Sequence, residues 1–564
     1  MQWVPVPLPD PKKVKALREA LGVSNPLAQI LVQRGFDDFD KAKSFFRPQL
    51  SALHNPFLMQ DMEPAVARVQ KALAQNEQIL VYGDYDVDGT TAVALMVAYL
   101  KTKTEKVQFY IPDRYTEGYG ISKTGIDWAK SQKVTLIIAL DCGVKALEQI
   151  DYAQTLGIDF IICDHHTPGN VLPKAVAVLD PKRADCNYPY KELCGCGIGL
   201  KLVQALMTNP QFDEQMLLPY LDLVATAIAA DIVPMTGENR ILAYFGLQQF
   251  QKKPRLGLAP LLKNQQTPVT VSDLVFKIAP RINAAGRMKH GKYAVELLLA
   301  DTPEKANQKA LRIEEYNTER RTLDEQITQE ALAQIKEQEQ ENSASTVVWS
   351  EHWHKGVIGI VASRLIENHY KPTVVLTKSS STYTGSARSV KGFDLYSALV
   401  HCQDHLERFG GHLFAAGLTL QEQALEGFKA TFEQYVQQHL ETASKTPSFS
   451  YDLEIGLDEI DLKLYRIIEQ MAPFGPQHMR PIFRSVNCLD TGKSRLVGQG
   501  QKHLKLEATD ANGLVVSGIG FGMGHHYDTL KKGTPFEMLY NVDLSTYNGF
   551  QTLQLKVKDL RFVP

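Results

Sequence analysis

No stretch of this sequence reaches the roughly 18 uninterrupted apolar residues that a membrane helix requires, so a membrane-spanning helix is excluded. The first residues, MQWVPVPLPDPKKVKALREA, carry no apolar leader with a small-residue cleavage site, which predicts a soluble, cytoplasmic protein. An excess of either charge is also lacking. The 61 basic and 63 acidic side chains leave a net charge of -2, so any nucleic-acid surface must be local. Cysteine is scarce and unpaired: there are seven, and only Cys194 and Cys196 lie close together. That argues against a disulfide framework and, with no second pair nearby, against a structural zinc site, and predicts reduced thiols that act as buried small hydrophobes. No GxxxxGK[ST] loop is present, and no cysteine has the His and Asn context of a thiol hydrolase, so neither ATP coupling nor thiol catalysis is indicated. Internal repeats and low-complexity tracts are missing as well.

What the 564 residues do contain is room for several cores. From residue 78 to 180, short apolar runs alternate with helical stretches: ILVY (79–82), KVQFYI (106–111), VTLIIAL (134–140), DFIIC (159–163) and AVAVL (175–179). Uninterrupted apolar strands separated by helices predict a parallel, doubly wound sheet. Helices around 198–207 and 214–230 extend this first domain. Residues 302–340, rich in Glu, Gln, Lys, Arg, Ala and Leu, predict one long exposed helix joining two bodies. A second α/β unit follows, with glycine clusters GSARS (385–389) and FGGH (409–412). Beyond the polar linker ETASKTPS, short alternating segments predict a small all-β barrel or sandwich. The expected layout is an N-terminal helical segment (1–55), a catalytic α/β domain (56–300), a connecting helix (301–344), a second α/β domain (345–442) and a β-domain (450–564).

The acidic residues fall at the ends of the predicted strands. Asp84, Asp86 and Asp88 in GDYDVDG follow the first, Asp141 in LDCG follows the third, and Asp164, His165 and His166 follow the fourth. In an open parallel sheet these ends line one crevice. Crowded carboxylates with imidazoles cannot all remain ionised without cations, so the crevice should hold metal. Oxygen donors suit Mg²⁺ or Mn²⁺, and the imidazole nitrogen leans toward Mn²⁺. Two ions roughly 3.5–4 Å apart would support hydrolysis of a phosphodiester. A calcium loop also begins DxDxDG, but it needs a Glu where this chain has Leu95. A single Asp such as Asp141 or Asp180 can serve merely as a helix cap. Five strand-end acids together are not explained that way. The pair His525 and His526 has no acidic cluster leading into it and reads as surface structure.

The order GDYDVDG, LDCG, CDHH resembles the DHH phosphoesterase superfamily. ILVQRGFDDFDKAKSFFRP, LHNPFLMQDM, PDRYTEGYG, DIVPMTGENR, PRINAAGRM, HKGVIGIVASRL, GSARS and FGGHLFAAG narrow the resemblance to its RecJ family of bacterial single-strand-specific exonucleases. The C-terminal β segment resembles that family's OB domain. The resemblance implies metal ligation by Asp86, Asp88, Asp141, His165 and Asp231, with Asp141 bridging, Asp84 close by and His166 contacting the scissile phosphate. Tyr82 stands where some superfamily members carry a metal-binding His. Asp231, by itself only an Asp ending the apolar helix LDLVATAIAAD, becomes a ligand through the DIVP match alone.

Local basic stretches, RINAAGRMKHGK with Arg281, Arg287, Lys289, His290 and Lys292, and GSARSVKG with Arg388 and Lys391, offset the neutral total. The resemblance implies that the second α/β unit, of the DHHA1 type, grips a strand through Arg364, Ser386, Arg388, Ser389 and a Gly410-Gly411-His412 turn. Arg114, in PDRYTEGYG, and Arg281 are the candidates for recognising a 5′ end. Tyr540, Tyr547 and Phe550 are aromatics of the barrel that serve as core or as stackers. The expected activity is 5′→3′ exonucleolysis of single-stranded DNA in recombination and repair, by a monomer with two Mn²⁺ or Mg²⁺ ions. A single-strand-binding protein and a RecQ-type helicase are the implied partners. The alternatives are a DHH oligoribonuclease or cyclic-dinucleotide phosphodiesterase, and, in another class, a catalytically silent DNA-binding replication scaffold. Such scaffolds lose the acids retained here.

Overall fold

The computed structural model of the chain describes residues 2–563 apart from 209–210, 263–267, 380, 442–445 and 548–549, and it describes no side chains at 547 and 550. Thr442–Lys445 of the polar linker and the side chains of Tyr547 and Phe550 therefore lie outside the described residues. The chain forms two compact units, one of residues 55–231 and 246–447, the other of residues 2–54, 232–245 and 448–564.

In the first unit, five strands, Gln78–Gly83, Val107–Tyr110, Val134–Leu140, Asp159–Cys163 and Ala177–Leu179, form a wholly parallel sheet. The second strand lies outside the first, and the third, fourth and fifth follow on the other side. Val134–Leu140 is almost wholly buried, which is why its run is apolar without alternation. The order of connection reverses at the first strand, the position where such sheets bind ligands beyond their carboxyl ends.

A single helix, Pro303–Glu337, follows, started by the Thr302 side chain, which accepts from the Lys305 N–H. It is not free in solvent along its length as the composition predicted. Ala306, Ala310, Ile313, Asn317, Asp324, Ile327, Ala331 and Ile335 are buried. They recur at helical spacing, so a narrow stripe faces the packed side while the charges that dominate the composition face water.

The second sheet runs, edge to edge, Arg408–His412, Ala415–Gln421, Thr382–Arg388, Thr373–Ser379 and Thr346–Ser350. Only the last two pair in parallel. Gly410, Gly411 and His412, expected to make a turn, are instead ladder residues of an antiparallel edge. The turn is Leu413–Phe414, since His412 is opposite Ala415. A Cβ on Gly411 would lie 2.3 Å from the Ala415 carbonyl oxygen, so glycine permits this close pairing.

In the second unit, Phe483–Asp490, His503–Thr509, Val515–Gly520, Phe536–Tyr547 and Phe550–Phe562 pair in the order first, fourth, fifth, third, second. The ring closes through Leu489 and Asp490 against Thr509 and Ala508. A five-stranded Greek-key barrel of this kind is an OB-fold. Tyr540 is fully buried and its hydroxyl shares a hydrogen bond with Ser485, so it is core and not a stacking surface. One strand was not expected: Gln2–Pro5, inside the proline-rich start, pairs in parallel with Ser448–Tyr451. Prolines at the ends of an edge strand lose no ladder bond. Trp3 anchors it by donating to Asp559 at 2.8 Å beneath the Arg561 guanidinium.

Candidate metal centre and adjoining cationic pocket

Register places the acids. Gly83, Leu140, Cys163 and Leu179 are successive partners across four adjacent strands, so the next residues, Asp84, Asp141, Asp164 and Asp180, form a row at strand spacing. All four are buried. Asp84 accepts from the Gly120 N–H at 3.4 Å. Asp164 is taken up by the Val144 N–H, by the backbone of His165 and His166, and by the His166 ring at 2.7 Å. Asp180 accepts from the Lys182 N–H. Asp141 sits in the left-handed region at φ 59°, its Oδ1 unpartnered and 3.2 Å from His165 Nε2.

His165 Nε2 is the meeting point. It lies 3.2 Å from Asp141, 3.6 Å from Asp231 and 3.8 Å from Asp88. Among the described residues, two groups could each hold an ion: Asp141, His165 and His166, and Asp88, His165 and Asp231. Asp231 reaches the centre from the end of helix Leu221–Asp231. It is followed by Ile232 at φ 60°, a rare conformation for a β-branched residue. Asp86 belongs to neither group. It caps helix Val87–Leu100 by accepting from Gly89 at 3.0 Å, leaving its other oxygen over. Tyr82 is wholly buried, donating to the Gly120 carbonyl and accepting from Ser122. His525 and His526 belong to neither group.

Sequence reasoning missed two contributors. The CGCG stretch, read as small hydrophobes, begins helix Gly195–Met207, and the N–H groups of Gly195 and Cys196 donate to the two oxygens of Asp88 at 2.6 and 2.7 Å. A Cβ on Gly195 would stand 2.6 Å from the Asp141 Cβ, so that position must be glycine for Asp141 to fit. All seven cysteines are free and buried. Tyr119, in the PDRYTEGYG stretch, donates to the Asp141 carbonyl at 3.0 Å and lies 3.2 Å from His166 Nε2. The glycine spacing of CGCG was the available signal for the first. The second lies in PDRYTEGYG, a stretch from which only Arg114 was singled out.

Burial and mutual repulsion raise Asp84 and Asp141 well above the carboxylate range, Asp88 to about 7 and Asp231 to about 8. Burial, with His166 nearby, depresses His165 to about 3. Burial also works on Asp164 and His166, but their mutual hydrogen bond prevails, lowering the acid and raising the imidazole. Asp84 Oδ2, Asp141 Oδ1, Asp231 Oδ2 and His165 Nδ1 are buried without hydrogen-bond partners. Buried, unsatisfied oxygen acceptors beside an imidazole are the donor set of a hard divalent cation, and they fit one.

A cluster of opposite sign adjoins. Arg114 lies over the Tyr85 ring at 4.8 Å, within the GDYDVDG turn. Arg287 is pushed down to about 9 by burial and by Arg114, Arg388 and Arg320, while Arg388 and Lys355 are lowered by burial and by Arg114. Arg287 donates to the Gly356 carbonyl at 3.0 Å, and Arg388 to Ser386 Oγ at 3.0 Å. Gly359 leaves room here, since its Cβ would stand 2.9 Å from Ser386 Oγ. The Ser389 hydroxyl donates to the Phe393 carbonyl at 2.8 Å. Among the described residues, Arg114, Arg287, Arg388 and Lys355 form no ion pair. Two other expected contacts do: Arg281 pairs with Glu314 and Arg364 with the buried Asp324. His412 accepts from the Phe414 N–H.

A parallel sheet with acids and paired histidines at its strand ends defines a DHH protein, and the DHH family N-terminal domain model matches residues 78–228, with the DHHA1 domain matching 340–438. The RecJ OB domain model matches 451–559. The chain is 33% identical to the single-stranded-DNA-specific exonuclease RecJ of Bacillus subtilis, covering 99% of this chain and 70% of that one. It is 30% identical to the Escherichia coli enzyme of the same name, covering 88% and 90%. Its fold is similar to a crystal structure of RecJ with Mn²⁺ from Thermus thermophilus, at a TM-score of 0.83 and 26% identity, over 99% of this chain and 79% of that one. The chain belongs to the RecJ family.

Proposed function

We propose that this protein is a divalent-metal-dependent exonuclease that degrades single-stranded DNA in the 5′→3′ direction during recombination and repair. The observation that carries this reading is the adjacency of two opposite sites in one unit. The acidic centre around His165 suits cations, and the pocket of Arg114, Arg287, Arg388 and Lys355 suits a terminal phosphate. Arg114, stacked over the Tyr85 ring next to Asp84, brings its charge to the edge of the acidic centre. Relatives bearing the single-stranded-DNA-specific exonuclease name, and RecJ crystals holding Mn²⁺ or Mg²⁺, support the substrate and the metals.

In this reading Asp88, Asp141, His165 and Asp231 are ligands, joined by Asp86 through the oxygen that Gly89 leaves over. Asp84 and Asp164 support them. When bound, Mn²⁺ or Mg²⁺ keeps the carboxylates ionised and activates water for attack at phosphorus. His166, turned by Asp164, offers its Nε2 side to the scissile phosphate, and Tyr119 steadies that side. Arg114, Arg287, Ser386 and Arg388 hold the 5′ phosphate, while Ser389, Gly410, Gly411 and His412 line the strand's path. Arg281 and Arg364 act through their partners Glu314 and Asp324. Action as a cytoplasmic monomer beside a single-strand-binding protein and a RecQ-type helicase rests on the family resemblance alone.

Single strands labelled at either end, incubated with Mn²⁺, Mg²⁺ or chelator, test the proposal. Label should be released from the 5′ end only, with metal only, and blunt duplex should resist. Asp141→Ala should abolish cleavage while leaving single-strand affinity largely intact, because the strand is held elsewhere. Substantial Mn²⁺-dependent cleavage by that variant would overturn the ligand assignment.

A further inference from the structure

The hairpin tip Leu413–Phe414 is anomalous. Leu413 is 45% and Phe414 47% exposed, although two-residue β-turns ordinarily carry Gly, Asn or Asp. The backbone beneath them is pinned: Ser389 N–H donates to the Phe414 carbonyl at 2.9 Å and Leu395 N–H to the Leu413 carbonyl at 3.2 Å. Two large apolar side chains are therefore presented to water from a rigid support.

Register fixes where they stand. Ala415 is the direct partner of Arg388 and Gly417 of Ser386. Leu413 and Phe414 thus lie within two residues, roughly 7 Å along the strand, of the pocket's Arg388. That is the reach of one nucleotide from its phosphate to its base.

We propose that Leu413 and Phe414 form an apolar platform for the unpaired base of the 5′-terminal nucleotide. This rests on the pocket's reading as a terminal-phosphate site. The continuity between pocket and tip selects a nucleobase as the occupant, since a group held at Arg388 by its phosphate projects its apolar face beside the tip. A base already paired and stacked in duplex cannot turn onto this platform, so the tip contributes to single-strand selectivity at the terminus.

The test compares 5′-phosphorylated oligothymidylates that carry either an ordinary or an abasic first nucleotide. Binding to the full-length protein is followed by fluorescence anisotropy in chelator. Loss of the terminal base should weaken binding about fivefold or more, the scale of one stacked base. In the Leu413→Ser, Phe414→Ser double variant the two oligomers should bind alike, with Mn²⁺ affinity and melting temperature near the parent's, and Phe414→Leu should restore part of the discrimination. Equal binding of both oligomers by the parent protein, or discrimination kept by the double variant, overturns the proposal. An oligomer with a 5′ hydroxyl tests the phosphate reading separately: indifference to that phosphate removes the pocket assignment, whatever the platform does.

Discussion

Asp141 and Gly195 show how much one hydrogen atom decides. Asp141 adopts a left-handed backbone, tolerated by Asp better than by most residues, and its side chain occupies the space a Cβ on Gly195 would need. Gly195 in turn donates its N–H to Asp88. Gly195→Ala should therefore displace two acids at once and lower Mn²⁺ affinity at least about tenfold, the scale of losing a group that orients ligands. Titration calorimetry reads this directly, and unchanged affinity would show that neither acid is held from this side. The sequence offered only a glycine between two cysteines here. The function of Gly195 lies in a backbone N–H and in an absent side chain, neither of which leaves a side-chain signature.

Elements carry the next level of constraint, as the N-terminal helices and the segment before the barrel illustrate. Arg34, capping helix Asn25–Gln33, faces His478 Nδ1 at 3.2 Å, and His478 Nε2 faces the Met471 carbonyl at 3.0 Å. The ring must stay neutral, accepting from Arg34 and donating to Met471. Burial, then Arg34, push it down to about 3. The unfolded chain takes up this proton near pH 6.5 and the folded one does not. Its contribution is thus present above about 6.5 and lost as pH falls toward 3. Between pH 6.5 and 5 the loss amounts to about 2 kcal/mol. Urea denaturation at those two pH values should show it in the parent and not in His478→Gln. An equal fall in both proteins would assign the effect to other groups. Among elements, the apolar strands at 134–140 and 159–163 were legible to the residue, because burial on both faces demands uninterrupted hydrophobes. Strand Gln2–Pro5 was not, because its reason for existing is a partner more than 440 residues away, Ser448–Tyr451.

At the scale of the whole molecule, the buried acids make folding depend on what neutralises them. Asp88 at about 7 and Asp231 at about 8 hold protons in the folded state that the unfolded chain releases near pH 4. In metal-free protein this stabilisation is present at low pH and disappears as pH rises through 7 to 8. Melting temperature in chelator should therefore fall between pH 6.5 and 8.5, and Mn²⁺ should restore it most at the higher pH, where the carboxylates are free to bind. A chelated protein as stable at pH 8.5 as at 6.5 would mean that the acids are neutralised from within the chain.

Residue order alone dictates the parallel sheet and the row of acids at its carboxyl ends, because hydrophobic runs of strand length and the residues that stop them are local facts. A parallel sheet then brings strand ends together whatever the rest of the chain does. Packing settles which groups turn toward His165 and which serve as support, as Asp164 does for His166. Packing also brings Asp231 in from a helix end, pairs Arg281 with Glu314, gathers Arg287 into a cluster that forms no ion pair among the described residues, and stands two exposed apolar residues beside that cluster. These outcomes depend on the packing of distant elements at ångström tolerance, and no local pattern of residues encodes that distance.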